Sequence, residues 1–306
     1  MIFFFCPDHA PPAGGVRMIY RQVDILNAHG IDAVVLHKAD NFRPDWFTSD
    51  TPVLSVAEAT AAPSDIFVVP EVYGHHINSF FPGYKKVIFN QNVYNTFLPY
   101  PDQYNGPDPY TDAAAVITNS EDGMRYLRCA FPKANLLRIR YAVDPAHYHP
   151  GDAKKPQIAF MPRKNVADAK QVVHMLRTRG CPLPFVVIHD MTEAEAAATL
   201  RASQYFLCFG HPEGFGLPPA EAMACGCVTI GYHGMGGREF FRPPYAAPIA
   251  FGDITTYVET VEQYLQTDTT EMQRQAAQFI ADEYSPKREA ESILLAWRAI
   301  LGDPPL

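Results

Sequence analysis

The chain has 306 residues, 47% of them hydrophobic, with 25 Lys and Arg against 33 Asp and Glu. That content supports a buried core, most naturally in two domains of roughly 150 residues, and excludes disorder as the main state. A net charge of −8 provides no overall field for a polyanion, which argues against nucleic-acid binding by bulk charge and leaves room only for a local basic patch.

The opening MIFFFCPDHA holds one short apolar run, with no basic stretch before it and Pro7 soon after. Such a run is too short for a signal peptide, and no later stretch reaches the ~18 apolar residues that a membrane span needs. It reads as a first buried strand, in a chain expected to be soluble or at most peripheral at a membrane. The six cysteines (Cys6, Cys129, Cys181, Cys208, Cys225, Cys227) are scattered, and four lie in apolar segments. A reduced, cytoplasmic compartment is the expectation.

After the first strand, Val16, Ile19, Tyr20, Val23 and Leu26 follow the i, i+3, i+4, i+7 spacing of a helix, and Gly30 stands where a left-handed cap is wanted. Further β-rich runs fall at 33–37, 66–70, 86–89 and 115–118, then at 157–161, 185–188, 205–209 and 227–231. Alternation of short apolar strands with helical segments predicts an α/β fold with parallel sheets covered by helices. The run PYPDQYNGPDP (99–109) is a long connection without helix or strand period. Arg125, Arg128, Lys133, Arg138 and Arg140 follow with no acid among them. They form either a solvated face or a surface for an acceptor or anionic headgroups.

The rhythm breaks over 144–157, where Pro145, Pro150, Gly151 and Pro156 interrupt any regular element. A boundary near residue 150 is therefore expected, separating domains 1–150 and 151–306. Apolar stripes at 254–265 and 293–301 predict that the chain ends in helices, the last of them able to pack back on the first domain.

The densest chemistry lies in HPEGFGLPPAEAMACGCVTIGYHGMGGREF (211–240), after one strand and entering a helix marked by Pro218 and Pro219. Gly214 and Gly216 permit close approach of backbone to ligand, so the amides of Phe215, Gly216 and Leu217 at a helix start suit a pyrophosphate. Glu221 near that start can accept both hydroxyl protons of a ribose diol, and Glu213 on the loop would point into the cleft. Taken singly, either glutamate could instead serve the helix dipole, worth ~0.3–1 kcal/mol.

These residues resemble the family-4 retaining glycosyltransferases, whose E-x7-E signature is matched by EGFGLPPAE (213–221) followed by AMACG (222–226). Weaker echoes are PPAGGVR (11–17), similar to the family's first glycine loop, ITNSE (117–121) and YAVDPAHYHP (141–150). The resemblance implies two Rossmann-like domains facing a cleft, the GT-B architecture. It also implies a nucleotide-sugar co-substrate, a hydroxyl acceptor of unknown class, no further cofactor and no metal. Glu221 would bind the ribose, Glu213 the donor sugar beside the reacting carbon, and Arg163 with Lys164 the departing diphosphate. Cations fixed in a dry cleft stabilise that growing charge most in the transition state.

The pattern is departed from in places. Arg163 and Lys164 are adjacent, whereas the family spaces its two cations, so Lys170 is an alternative second partner; the other reading, a solvated basic helix start, is electrostatically unfavourable because cations belong at a helix's other end. Gly14 and Gly15 either face the same diphosphate or simply form a tight βα turn. Gln91 and Asn92 stand where many relatives carry a histidine, with His75 and His76 as substitutes or as plain exposed loop residues. GGREF (236–240) resembles the family's glycine turn ending in an acid, here Glu239, near the donor. No D-x-D occurs, and Cys225 and Cys227 lack a second pair at zinc spacing.

The expected activity is a retaining, metal-independent sugar transfer, with peripheral contact to a membrane or lipid-linked acceptor left open. A catalytically silent nucleotide-sugar-binding or scaffolding subunit is the first rival. A dinucleotide oxidoreductase is the second, and PPAGGVR lacks the G-x-G-x-x-G spacing it needs.

Overall fold

The computed structural model describes residues 1–302. The chain divides into two compact units, Met1–Arg140 with the segment from Ala290 on, and Tyr141–Glu289.

The first unit contains β1 (Ile2–Phe5), α1 (Gly14–Ala28), β2 (Ala33–His37), β3 (Val53–Ser55), β4 (Ile66–Pro70), β5 (Lys85–Asn90), α2 (Pro109–Asp112), β6 (Ala115–Thr118), α3 (Glu121–Ala130) and β7 (Leu136–Arg138). Its strands form one parallel sheet in the order β3-β2-β1-β4-β5-β6-β7. β1, β2, β4 and β6 are buried along their whole length, which is why they read as continuous apolar runs rather than alternating ones. Phe3 stacks on Phe67 at 5.0 Å and Phe67 on Phe81 at 4.1 Å, filling one face. α1 ends where the sequence indicated: Gly30 adopts φ 76°, its N–H donates to Asn27 O, and Ile31 N–H donates to Leu26 O. These two bonds cap the last carbonyls, and only a residue at ease with positive φ allows them.

The second unit contains β8 (Lys155–Phe160), α4 (Val166–Thr178), β9 (Phe185–Val187), α5 (Glu193–Ala202), β10 (Ser203–Cys208), α6 (Leu217–Ala224), β11 (Val228–Gly231), β12 (Ala247–Pro248), α7 (Ile254–Leu265) and α8 (Thr270–Glu283). Its parallel sheet runs β12-β11-β10-β8-β9. The core between this sheet and its helices includes Ile158, Leu207, Phe209, Val228 and Tyr257, all nearly inaccessible. The Tyr257 hydroxyl reaches the carbonyls of Cys208 and Ile230 at 3.0 Å, so this fully buried polar group is satisfied.

α9 (Pro286–Leu301) begins in the second unit and continues into the first, where Trp297 packs on Phe4 at 5.7 Å and Lys85 Nζ donates to Ile300 O at 2.7 Å. At the other crossing, the chain already belongs to the second unit at Tyr141. The Val143 N–H donates to Tyr284 O and the Tyr148 side chain is buried, so the proline-rich run is anchored before β8 begins.

Three strands have no counterpart in the sequence reading: β3, β7 and β12. Each is a sheet edge of two or three residues. An edge so short buries too little to require an apolar run, and its pairing is set by the neighbouring strand. Among the described residues, no helix is long and apolar enough to cross a membrane.

Candidate active site

In the second sheet the strand order reverses between β8 and β10, since β9 continues on one side and β11 and β12 on the other. Loops leaving the carboxyl ends of such a strand pair diverge and open a crevice. Here those loops are 161–165, after β8, and 209–216, after β10. They border an open pocket lined by Arg163, Lys164, Gly210, Glu213, Gly216 and His233 among others.

Glu213 is the centre of this geometry. Its N–H donates to Gly234 O at 2.7 Å, and its carbonyl accepts from Gly236 N–H at 3.1 Å. Both backbone groups are thus fixed by the 234–236 turn. Glu213 Oε1 stands 3.0 Å from Lys164 Nζ and 3.6 Å from an Arg163 guanidinium nitrogen. Lys164 Nζ also donates to Pro212 O at 2.5 Å. Two cations against one carboxylate leave a local positive excess in a chain whose net charge is −8. In the same loop burial holds His211 below the usual imidazole range, with the charges of Lys164 and Arg238 adding to it and that of Glu213 opposing it. The pocket's physical character is therefore anion-attracting.

The helix entry adds to it. Gly216 caps α6 with φ 91°, and Pro at the next two positions after Leu217 leaves only Gly216 and Leu217 to offer N–H groups at this end. The Phe215 side chain, as distinct from its backbone amide, has a packing role. It is buried against Tyr141, Phe240 and Tyr284, at ring distances of 5.5, 5.1 and 5.5 Å, and anchors the loop from below.

Not every expected site residue lines this pocket. Lys164 does and Lys170 does not; Lys170 is exposed more than one turn into α4. Glu221 and Leu217 are one helical turn apart on a common side of α6, half-buried, and neither lines the pocket. The Glu239 carboxylate accepts the Tyr284 hydroxyl at 2.8 Å and also lies outside the lining, as does the buried Gly214. Gly14 and Gly15 are exposed at the start of α1 in the first unit. In that unit His75 packs on Tyr100 and Tyr104, and His76 is exposed. Arg125, Arg128 and Lys133 are exposed, and Arg138 pairs with Glu121. Cys225 and Cys227 are buried; burial pushes their thiols up to about 12 and about 11. Among the described residues, no group of three or more His, Cys, Asp or Glu is arranged to hold a metal.

Sequence reasoning missed three contributors. Asn165 adopts a left-handed conformation (φ 51°, ψ 46°) and its Nδ2 donates to Phe209 O at 2.8 Å and His211 O at 3.0 Å, lashing the two pocket loops together. An asparagine just before a helix signals an N-cap, but here its side chain serves the neighbouring loop instead. His233 accepts the Met235 N–H on Nδ1 at 3.0 Å, and Met235 sits at φ 77°, ψ −64°, a strained turn. Phe251, 54% exposed, stacks on His211 at 4.1 Å and extends an aromatic face beside the cations.

The 234–236 turn is packed so tightly that Gly236 has no tolerance: a Cβ there would lie 1.9 Å from Gly214 O. Gly236→Ala is expected to destabilise the protein by about 3 kcal/mol, because the atoms a Cβ would meet, Gly214 O and C and Phe215 N, are all backbone and cannot move singly. A thermal melt read by circular dichroism checks this, and an unchanged melting temperature would refute it.

Residues 180–295 match the model of the glycosyl transferase-like family. A curated relative, the alpha-1,6-glucosyltransferase of Actinobacillus pleuropneumoniae serotype 7 (strain AP76), is 26% identical over 250 residues, covering 76% of this chain and 72% of that protein. Among solved structures, sucrose-phosphate synthase from Thermosynechococcus elongatus superposes with a TM-score of 0.72 at 12% identity, over 98% of this chain and 99% of that one. A glycosyltransferase from Rickettsia africae ESF-5 gives 0.72 at 12% identity, over 99% of each chain. Anabaena Alr3699/HepE in complex with UDP-glucose gives 0.68 at 13% identity, over 97% and 99%. The stretch 180–295 is thus glycosyltransferase-like in sequence, and the chain has the α/β fold of GT-B glycosyltransferases with its two parallel sheets.

Proposed function

We propose that the chain is a retaining, metal-independent glycosyltransferase of the family-4 type, moving a sugar from a nucleoside diphosphate to a hydroxyl acceptor. The observation that carries this reading is the Arg163–Lys164–Glu213 constellation at the carboxyl ends of β8 and β10, in a pocket that Gly216 also lines, with the Gly216 and Leu217 amides opening α6. Arg163, Lys164 and those amides hold the diphosphate and stabilise the charge it gains on leaving. Glu213, already fixed through its backbone, accepts from hydroxyls of the donor sugar next to the reacting carbon. The acceptor hydroxyl attacks from the face the diphosphate leaves, and a phosphate oxygen takes its proton. UDP-glucose is the first donor to try, because a relative is named a glucosyltransferase and one structural neighbour binds UDP-glucose.

The direct test is a thermal-shift panel of UDP, GDP, dTDP and ADP sugars, followed by proton NMR of the product's anomeric centre in the presence of a chelator. A ligand selective for the folded state raises its melting temperature. Stabilisation by one nucleotide sugar and an α product from an α donor support the reading; no shift with any of them, or an inverted product, defeats it. Glu221→Ala is expected to weaken nucleotide binding about tenfold, the loss of hydrogen bonds to a ribose diol. Isothermal titration with UDP measures it, and wild-type affinity would remove Glu221 from the ribose.

A further inference from the structure

Glu71 follows β4 directly, is 3% exposed, and makes no ion pair among the described residues. Its two carboxylate oxygens accept the N–H groups of Gln91 and Asn92, each at 3.1 Å, just after β5. Asn119, buried just after β6, donates its side-chain amide to Gln91 O at 2.8 Å. Gln91 Nε2 in turn donates to Gly15 O, in the first turn of α1, at 2.9 Å. The ends of β4, β5 and β6 and the helix after β1 are thereby tied through one residue. This occurs where the first sheet's order reverses, between β1 and β4, the place at which an open parallel sheet forms its crevice.

Packing alone calls for no charge at such a position, since burying a carboxylate without a counter-charge is unfavourable. What the carboxylate adds is a fixed pair of acceptors for two successive amides. Among the described residues, Asn119 Oδ1 and Thr118 Oγ1 are buried without a hydrogen-bond partner at the same strand end, a further sign that polar geometry is maintained there against packing.

We propose that Glu71 is a positioning residue for the transfer reaction: through the backbone of Gln91 and Asn92 it holds the Gln91 carboxamide, and with it the Gly14–Gly15 turn, in the geometry that meets substrate. This rests on the transferase reading above. The titratable group coupled to Glu71 is the Tyr110 phenol of α2, which burial holds far above its usual value and which stays neutral throughout. Burial pushes Glu71 itself up to about 7, so both amides find full acceptors only above that pH.

The test combines Glu71→Gln and Gln91→Leu. Hydrogen–deuterium exchange is followed over residues 13–17 and 89–95, UDP binding by thermal shift, and turnover of UDP-glucose across pH 5.5–8.5. Glu71→Gln is expected to speed exchange in both segments and to lower kcat about tenfold or more, with UDP binding unchanged. It should also flatten an acid limb that wild type shows near neutral pH. Gln91→Leu should speed exchange at 13–17 and lower kcat, and the double variant should be no slower than the slower single one. Wild-type exchange at 13–17, or wild-type kcat and pH profile, in Glu71→Gln overturns the proposal. Should Glu71→Gln fail to fold, Gln91→Leu decides by the same two readings. An active wild type with an indifferent variant sinks this proposal alone; a wild type inert to every nucleotide sugar sinks the transferase reading and this with it.

Discussion

Lys164→Met is expected to lower the rate of UDP release from UDP-glucose by about 100-fold or more, the usual loss when one preorganised donor to a developing anion is removed. Methionine keeps the length of the stem and removes the charge. Lys164 lies on a loop, 31% exposed, bonded to Pro212 O and paired with Glu213, so the fold should tolerate the change. The residue's ammonium is worth most when charge collects on the leaving phosphate, and little in the resting pocket, where Glu213 already neutralises part of it. kcat and kcat/KM should therefore fall together, while UDP affinity falls less. Steady-state kinetics with a parallel melt distinguish this from misfolding. A variant that melts like wild type and turns over at the wild-type rate would remove Lys164 from the chemistry.

Between pH 4.5 and about 7 the protein is expected to lose about 3 kcal/mol of stability through Glu71 alone, and Glu71→Gln is expected not to. Desolvation is the first cause of the raised value, and the backbone amides of Gln91, Glu71 itself and Asn92 offset only part of it. A folded-state value above the unfolded one means that the folded protein holds the proton more tightly. The contribution is complete below pH 4.5 and disappears as pH rises through about 7. Chemical denaturation at pH 4.5 and 7.5 measures it as a change in the difference between wild type and variant. Parallel curves for the two proteins would mean that Glu71 titrates near its ordinary value. This outcome rests on the local surroundings of Glu71 and holds whatever the protein's reaction.

The core strands and the first helix were legible in the sequence because their signals are local and strong. β2, β4 and β6 fall on the residues expected, since a strand buried on both faces must be apolar throughout. Gly30 marks the end of α1 because the cap demands positive φ. The edge strands β3, β7 and β12 were not legible, being two or three residues held by a neighbour's hydrogen-bonding edge. At the site, EGFGLPPAE announced a glycine-hinged loop entering a helix, and Arg163 and Lys164 announced cations at the end of a strand. The sequence did not say that Lys164 rather than Lys170 joins Glu213, because that depends on how the 161–165 loop turns.

The order of apolar runs, glycines and prolines alone therefore determined two parallel α/β sheets and a glycine- and proline-marked entry into α6, because backbone conformation and burial are dictated residue by residue. Which side chains meet was decided by tertiary structure. The reversal of strand order between β8 and β10 brings loops 44 or more residues apart together at one carboxylate, and Asn165 and the 234–236 turn hold them there. Likewise only the folded sheet joins Glu71, Gln91, Asn119 and Gly15 into one network. Hydrogen bonds between residues far apart in the chain leave no period or spacing to read, since each partner taken singly is an ordinary loop residue.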